Sequence, residues 1–153
     1  MLHDKLIRMF LFVSGVLLSV TGIAKLISSA GSARILEYHD PILSIEFRYV
    51  FLVVGTLEIL TALYCFFGRQ QYLKIFGVAW LATNFMLYRM GLILVGYRKP
   101  CSCLGTLTSA LHISPDTANK IMEVVLFFLL IGSYYILTWL WWHKRTFPIC
   151  ARQ

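Results

Sequence analysis

Apolar positions are nearly continuous over residues 9–27, 49–67, 75–95 and 121–142, with short polar connections between them. Each run has about the 20 residues needed to cross the hydrocarbon core of a bilayer. Each must be helical, because lipid offers no partner to a free backbone donor or acceptor. The pattern predicts an all-α integral membrane protein, an antiparallel four-helix bundle forming one domain over residues 1–153. The first run is long and lacks a small-residue cleavage site, so it reads as a retained helix rather than a signal peptide.

The polar connections differ in what they carry. Residues 28–48 contain Gly31, Asp40 and Pro41, and the stretch 33–39 predicts a short interfacial helix ended by Asp40-Pro41. Residues 68–71 form a tight connection, which makes the second and third helices antiparallel neighbours. Residues 96–120 close with Ser114-Pro115-Asp116, in which Ser114 reads as N-cap and Pro115 as the first helical residue. The fourth helix is therefore expected to begin before its apolar stretch.

Composition agrees with a membrane protein. Of 153 residues, 59% are hydrophobic and 14% charged, whereas a soluble domain is about half apolar and about a quarter charged. The net charge of +7 is no nucleic-acid footprint, because the basic residues sit at the ends of apolar runs, where headgroups and orientation signals place them. The expected surroundings are a lipid bilayer, with no nucleic-acid partner. With both termini cytoplasmic, the inner side holds Lys5, Arg8, Arg69, Lys74, Lys144, Arg145 and Arg152, slightly more basic residues than the outer side. Trp139, Trp141 and Trp142 before His143-Lys144-Arg145 make an interfacial anchor. The third connection is then extracytoplasmic, where oxidised thiols persist.

That connection holds the chain's most distinctive chemistry, Lys99-Pro100-Cys101-Ser102-Cys103-Leu104-Gly105. Two thiols one residue apart are a redox couple, a structural disulfide or a soft-metal clamp. A bridge across a single intervening residue closes only with strain, and strained, exposed disulfides are the labile, catalytic kind. Arg98 and Lys99 favour thiolate at Cys101, making Cys101 the better nucleophile and Cys103 the resolving thiol. Two thiolates suit a soft ion such as Cu(I), but no Met or His cluster accompanies them and His112 stands alone, so no metal site is assigned. His112 is the one group in this connection able to move protons near neutral pH. Cys65 reads as a small apolar filler and Cys150 as a tail thiol.

Within the apolar runs, Glu58 and Arg89 lie at similar expected depths. A charge in hydrocarbon normally faces the bundle and finds a partner, so a Glu58–Arg89 ion pair is expected across the second and third helices. With Trp80, Asn84 and Tyr88, that pair could line a quinone headgroup pocket or a proton path. Lys25 reads as a snorkelling helix-end lysine. Ser14, Gly15, Ser19, Gly22 and Ala24 predict close helix packing of the small-xxx-small kind.

Several of these features together resemble the MauE branch of the DoxX-like membrane proteins. They are the Cys101-Ser102-Cys103-Leu104-Gly105 motif after the third helix, Gly22-Ile23-Ala24-Lys25-Leu26 closing the first, and Glu58 within the second. The resemblance covers essentially the whole chain. It implies a redox-associated role, passing electrons to or from a thioredoxin-like partner or supporting disulfide formation in an exported protein. The expected location is a bacterial inner membrane, and the intramembrane polar residues make a quinone the candidate cofactor. The competing reading is a non-enzymatic membrane assembly factor stapled by a structural disulfide.

Overall fold

The computed structural model describes residues 2–30, 45–96 and 115–146. Among them four helices follow one another: α1 (Leu2–Ala30), α2 (Phe47–Phe67), α3 (Gln71–Leu94) and α4 (Pro115–Thr146). All four are long and apolar enough to cross a membrane. The protein is an all-α membrane four-helix bundle, as expected.

The first and last helices outrun their predicted spans by roughly a turn or more at each end. Hydropathy detects only the part of a helix that lies in hydrocarbon, whereas the backbone ladder continues into the interface. The fourth helix does begin at Pro115, whose fixed φ suits a first helical position. The expected Ser114 cap and the interfacial helix over 33–39 lie outside the described residues. Gly68 closes α2, its N–H donating to the Tyr64 carbonyl at 2.8 Å. Gly96, just beyond α3, adopts φ +72°, a left-handed conformation that favours glycine.

Lipid is as apolar as leucine, so shape and polar contacts, rather than apolar burial, decide which helices pair. The core-facing seam of α1 is Ile7, Leu11, Ser14, Leu18, Thr21, Lys25 and Ser28, all buried and spaced by alternate steps of four and three. This is the heptad of a tightly packed helix pair. Its far half is apolar apart from Ser14, and the half toward Ala30 is polar.

The close partner of α1 is α2. Gly22 and Gly55 face one another: a Cβ added to either would lie 3.0 Å from the other's carbonyl oxygen. Gly15 sits against Phe66 and Cys65, so the two helices are antiparallel, and the small residues of α1 serve packing as expected. Cys65 is a buried free thiol within the apolar core. α3 packs chiefly on α4, with Thr83 and Tyr134 sharing a 3.0 Å hydrogen bond.

α2 and α3 are neighbours as the tight connection requires, joined near their shared turn by Lys74 Nζ donating to the Cys65 carbonyl at 2.8 Å. Their contact is lighter than that of α1 with α2. Ile75, Val78, Leu81 and Ala82 of α3 meet Leu126 and Leu129 of α4 and the core face of α1 in one cluster. One end of the bundle is where α1 and α3 finish and α2 and α4 begin. It is called the loop end below, because the cysteine-bearing connection joins α3 to α4 there.

Candidate functional site

The buried charges lie toward the loop end. Lys25 of α1 donates from Nζ to both carboxylate oxygens of Glu58 on α2, at 2.7 and 2.9 Å. The two side chains are only 7% and 1% exposed. The Phe85 ring of α3 covers the ammonium, its centroid 5.6 Å from Nζ, within the range of a cation–π contact. Two flanking hydroxyls donate to their own helix, Thr21 to the Leu17 carbonyl and Ser28 to the Ala24 carbonyl, and Thr21 is also within hydrogen-bond reach of the Glu58 carboxylate.

The glycine contact explains why these two charges meet. Lys25 lies one turn beyond Gly22, and Glu58 one turn beyond Gly55. Because the helices are antiparallel, the two residues start on opposite sides of the glycine contact. Side chains on a helix lean toward its N-terminus, so each leans back across that contact toward the other. The absence of Cβ atoms at Gly22 and Gly55 brings the backbones close enough for both side chains to be enclosed.

This arrangement corrects two expectations. Lys25 does not snorkel to the headgroups, and Arg89 does not pair with Glu58. Arg89 lies one turn nearer the loop end than Phe85, about 6 Å along the axis at about 1.5 Å per residue. Since Phe85 marks the level of the Lys25 ammonium, Arg89 stands above Glu58 rather than beside it. Its guanidinium turns to α4, where Nη2 donates to Asn119 Oδ1 at 2.7 Å and lies 3.7 Å from Glu123 Oε2. The Arg89 side chain is 25% exposed and that of Glu123 50%, so this second cluster is half open.

The residues expected to line one pocket with Glu58 do not converge. Trp80 and Asn84 are exposed on the face of α3 opposite its core seam, and Tyr88 is half-buried. Trp80 and Arg89 are nine residues apart, roughly two and a half turns at about 3.6 residues per turn, which puts them on opposite sides of the helix. Trp80 and Asn84 are therefore not brought together with Glu58 and Arg89.

Cys101 and Cys103, with Arg98, Lys99 and His112, lie outside the described residues. Among the described residues no three His, Cys, Asp or Glu side chains come together as a metal site. The geometry thus supplies a locked ionic core in α1–α2 and a half-open polar cluster where α3 and α4 approach the cysteine-bearing connection. A signal for the locked pair was present in the sequence: Gly22-x-x-Lys25 and Gly55-x-x-Glu58 share one offset, the pattern of two facing glycines each followed by a charge.

The family model described as Methylamine utilisation protein MauE matches residues 4–143. No curated protein and no solved structure matches the chain.

Proposed function

The chain belongs to the MauE family of integral membrane proteins, and on that premise we propose that it is a thiol–disulfide exchange protein of methylamine utilisation. Cys101 and Cys103 exchange electrons with a thioredoxin-like domain or an exported, disulfide-containing protein. The observation that carries this reading is the pair of thiols one residue apart, beside Arg98-Lys99, in the connection between α3 and α4. Both termini are assigned to the cytoplasm and the thiols to the far side of a bacterial inner membrane, where disulfides persist.

In the reductive direction the Cys101 thiolate attacks one sulfur of a partner disulfide. The partner's other sulfur leaves as thiolate and takes up a proton. Cys103 then attacks Cys101 Sγ in the mixed disulfide, which releases the partner as a dithiol and leaves a Cys101–Cys103 bridge. Run backwards, the internal bridge accepts two electrons from a partner dithiol and becomes two thiols. The positive charge of Arg98 and Lys99 favours the thiolate that starts the forward step, and the strain of a one-residue bridge keeps the couple reducible. The Lys25–Glu58 lock supports a scaffold role for α1–α2, because both of its charges are satisfied within the bundle.

Trapping tests the assignment. Cys103→Ser is expected to accumulate a mixed disulfide through Cys101 on a non-reducing gel, and Cys101→Ser to abolish it. After mild reduction of intact cells, a membrane-impermeant thiol reagent is expected to label both residues. Labelling only after lysis would reverse the topology. Full function in the Cys101→Ser, Cys103→Ser double variant would sink the redox reading and favour an assembly factor with a structural disulfide.

A further inference from the structure

The outward face of α3 carries an amide in the middle of the apolar span. Asn84 is exposed and lies near the centre of Gln71–Leu94, the stretch long and apolar enough to cross the membrane. Among the described residues its hydrogen bonding is confined to one N–H, which donates to the Trp80 carbonyl of its own helix at 2.7 Å. Its Oδ1 and second N–H have no partner among the described residues. An amide left unsatisfied in hydrocarbon is unfavourable by several kcal/mol on water-to-alkane scales, about 4–8. Polar side chains on lipid-facing helices are therefore strong drivers of helix association.

The residues around Asn84 have the spacing of a helix-pairing seam. Leu73, Gly77, Trp80, Asn84, Leu87 and Gly91 recur at alternate steps of four and three, as the a and d positions of a heptad do. Trp80 is 52% exposed and Leu87 63%. The core seam of the same helix, through Ile75, Val78, Ala82, Phe85 and Leu92, occupies the opposite side, so Trp80, Asn84 and Leu87 are not spent on the bundle, while Gly77 borders Thr61 of α2. Gly77 differs from the tightly packed glycines of the bundle. At Gly15, Gly22, Gly55 and Gly132 an added Cβ would run into a side chain or a backbone oxygen, whereas at Gly77 its nearest neighbour is the Thr61 methyl at 3.8 Å. Among the described residues an alanine at Gly77 would meet α2 at ordinary contact distance.

We infer that the outward face of α3, centred on Asn84, is the site at which a second copy of this chain packs in the membrane. The amide identifies the occupant. It is donor and acceptor in one group, hence its own complement: across a two-fold axis each Asn84 N–H meets the other Asn84 Oδ1. A symmetric pair buries the same patch on both copies. A central asparagine in an apolar heptad is also the arrangement that fixes register in paired helices.

The test is energy transfer between full-length copies carrying donor and acceptor fluorescent proteins, reconstituted in phosphatidylcholine vesicles over a range of protein-to-lipid ratios. Wild-type transfer is expected to exceed the random-proximity level and to follow a dimer isotherm. Asn84→Leu is expected to weaken dimerisation between about threefold and about twentyfold, the span of one to two interhelical hydrogen bonds. Asn84→Gln, which keeps donor and acceptor, is expected to stay near wild type. Leucine on a lipid-facing position does not threaten the fold, and equal helix content by circular dichroism checks this. Wild-type transfer at the random level would overturn the inference, as would an Asn84→Leu isotherm that matches wild type. Transfer absent while an equimolar unrelated membrane protein co-purifies and is lost in Asn84→Leu would assign the face to a different partner and overturn it equally.

Discussion

The two helical hairpins of this bundle hold similar charges in different ways. In α1–α2 a lysine on the first helix meets a glutamate on the second, and in α3–α4 an arginine on the first faces a glutamate on the second, both toward the loop end. The first pair is bidentate at 2.7 and 2.9 Å and enclosed; the second stands at 3.7 Å with its glutamate half open. The difference comes from the backbone. Facing glycines draw α1 and α2 together, so the side chains that straddle the contact are sealed from lipid and water. Where α3 and α4 approach, the contacts run instead through long side chains, Thr83 to Tyr134 and Arg89 to Asn119. One hairpin is a rigid scaffold; the other leaves its polar groups accessible beside the connection that carries the thiols.

The sharpest way to break this comparison is to remove one charge from each hairpin. Lys25→Met leaves the buried Glu58 without its ammonium partner, and breaking a buried pair from one side is unfavourable by about 3–5 kcal/mol. Glu58→Leu does the same from the other side. The double variant is expected to recover most of the loss, because replacing both partners with apolar groups of similar volume is often close to neutral. Unfolding of the purified protein in detergent, followed by circular dichroism, gives the three values. Strictly additive losses would mean that the two side chains do not meet.

Much of the fold was legible because the bilayer makes it so: an apolar run of about 20 residues in lipid has only one economical structure. The Pro115 start and the tight turn between α2 and α3 were legible for local reasons, a preset φ and a connection too short for any other course. The partner of Glu58 was not. Depth counted along each helix placed Arg89 and Glu58 at similar levels, but depth ignores azimuth and the tilt of each side chain. Lys25 looked like a headgroup-seeking lysine because its position near a helix end was weighed without the glycine one turn before it. Trp80 and Asn84 lie near Arg89 in sequence, but the helical period sets them on the other side of α3. Cys101 and Cys103 lie outside the described residues, so their pairing rests on the motif alone.

Glycine substitutions sharpen the same contrast at smaller magnitude. At Gly55 a Cβ lies 3.0 Å from the Gly22 carbonyl oxygen and 3.1 Å from the Leu26 side chain. The carbonyl belongs to backbone and cannot rotate away, so Gly55→Ala must push α2 off α1. Overpacking of this kind is unfavourable by about 1–3 kcal/mol, partly offset by a gain of up to about 1 kcal/mol in helix propensity. Gly77→Ala meets only a methyl at ordinary contact distance and, in detergent-solubilised monomer, is expected to be neutral or slightly stabilising through propensity alone. Equal destabilisation of the two variants would show that the facing glycines are not what sets the α1–α2 distance.

The smallest expected effect lies in the half-open hairpin. Arg89→Leu removes a charge-assisted hydrogen bond to Asn119 and a looser contact with Glu123. Hydrogen bonds involving a charged group contribute about 1.5–3 kcal/mol when well enclosed, but the guanidinium is a quarter exposed and partly solvated, so about 1 kcal/mol is expected. Asn119→Leu should cost about the same, and the double variant little more than either single one, because both remove the same bond. Glu123→Gln is expected to change stability by less than about 0.5 kcal/mol, since a 3.7 Å contact to a half-exposed carboxylate is in the range of surface ion pairs. Raising the salt concentration should erase what remains of the Glu123 effect while leaving the Arg89–Asn119 coupling in place. A loss at Arg89 as large as that at Lys25 would mean that α3–α4 is locked in the same way as α1–α2, and the division into a rigid and an open hairpin would fall.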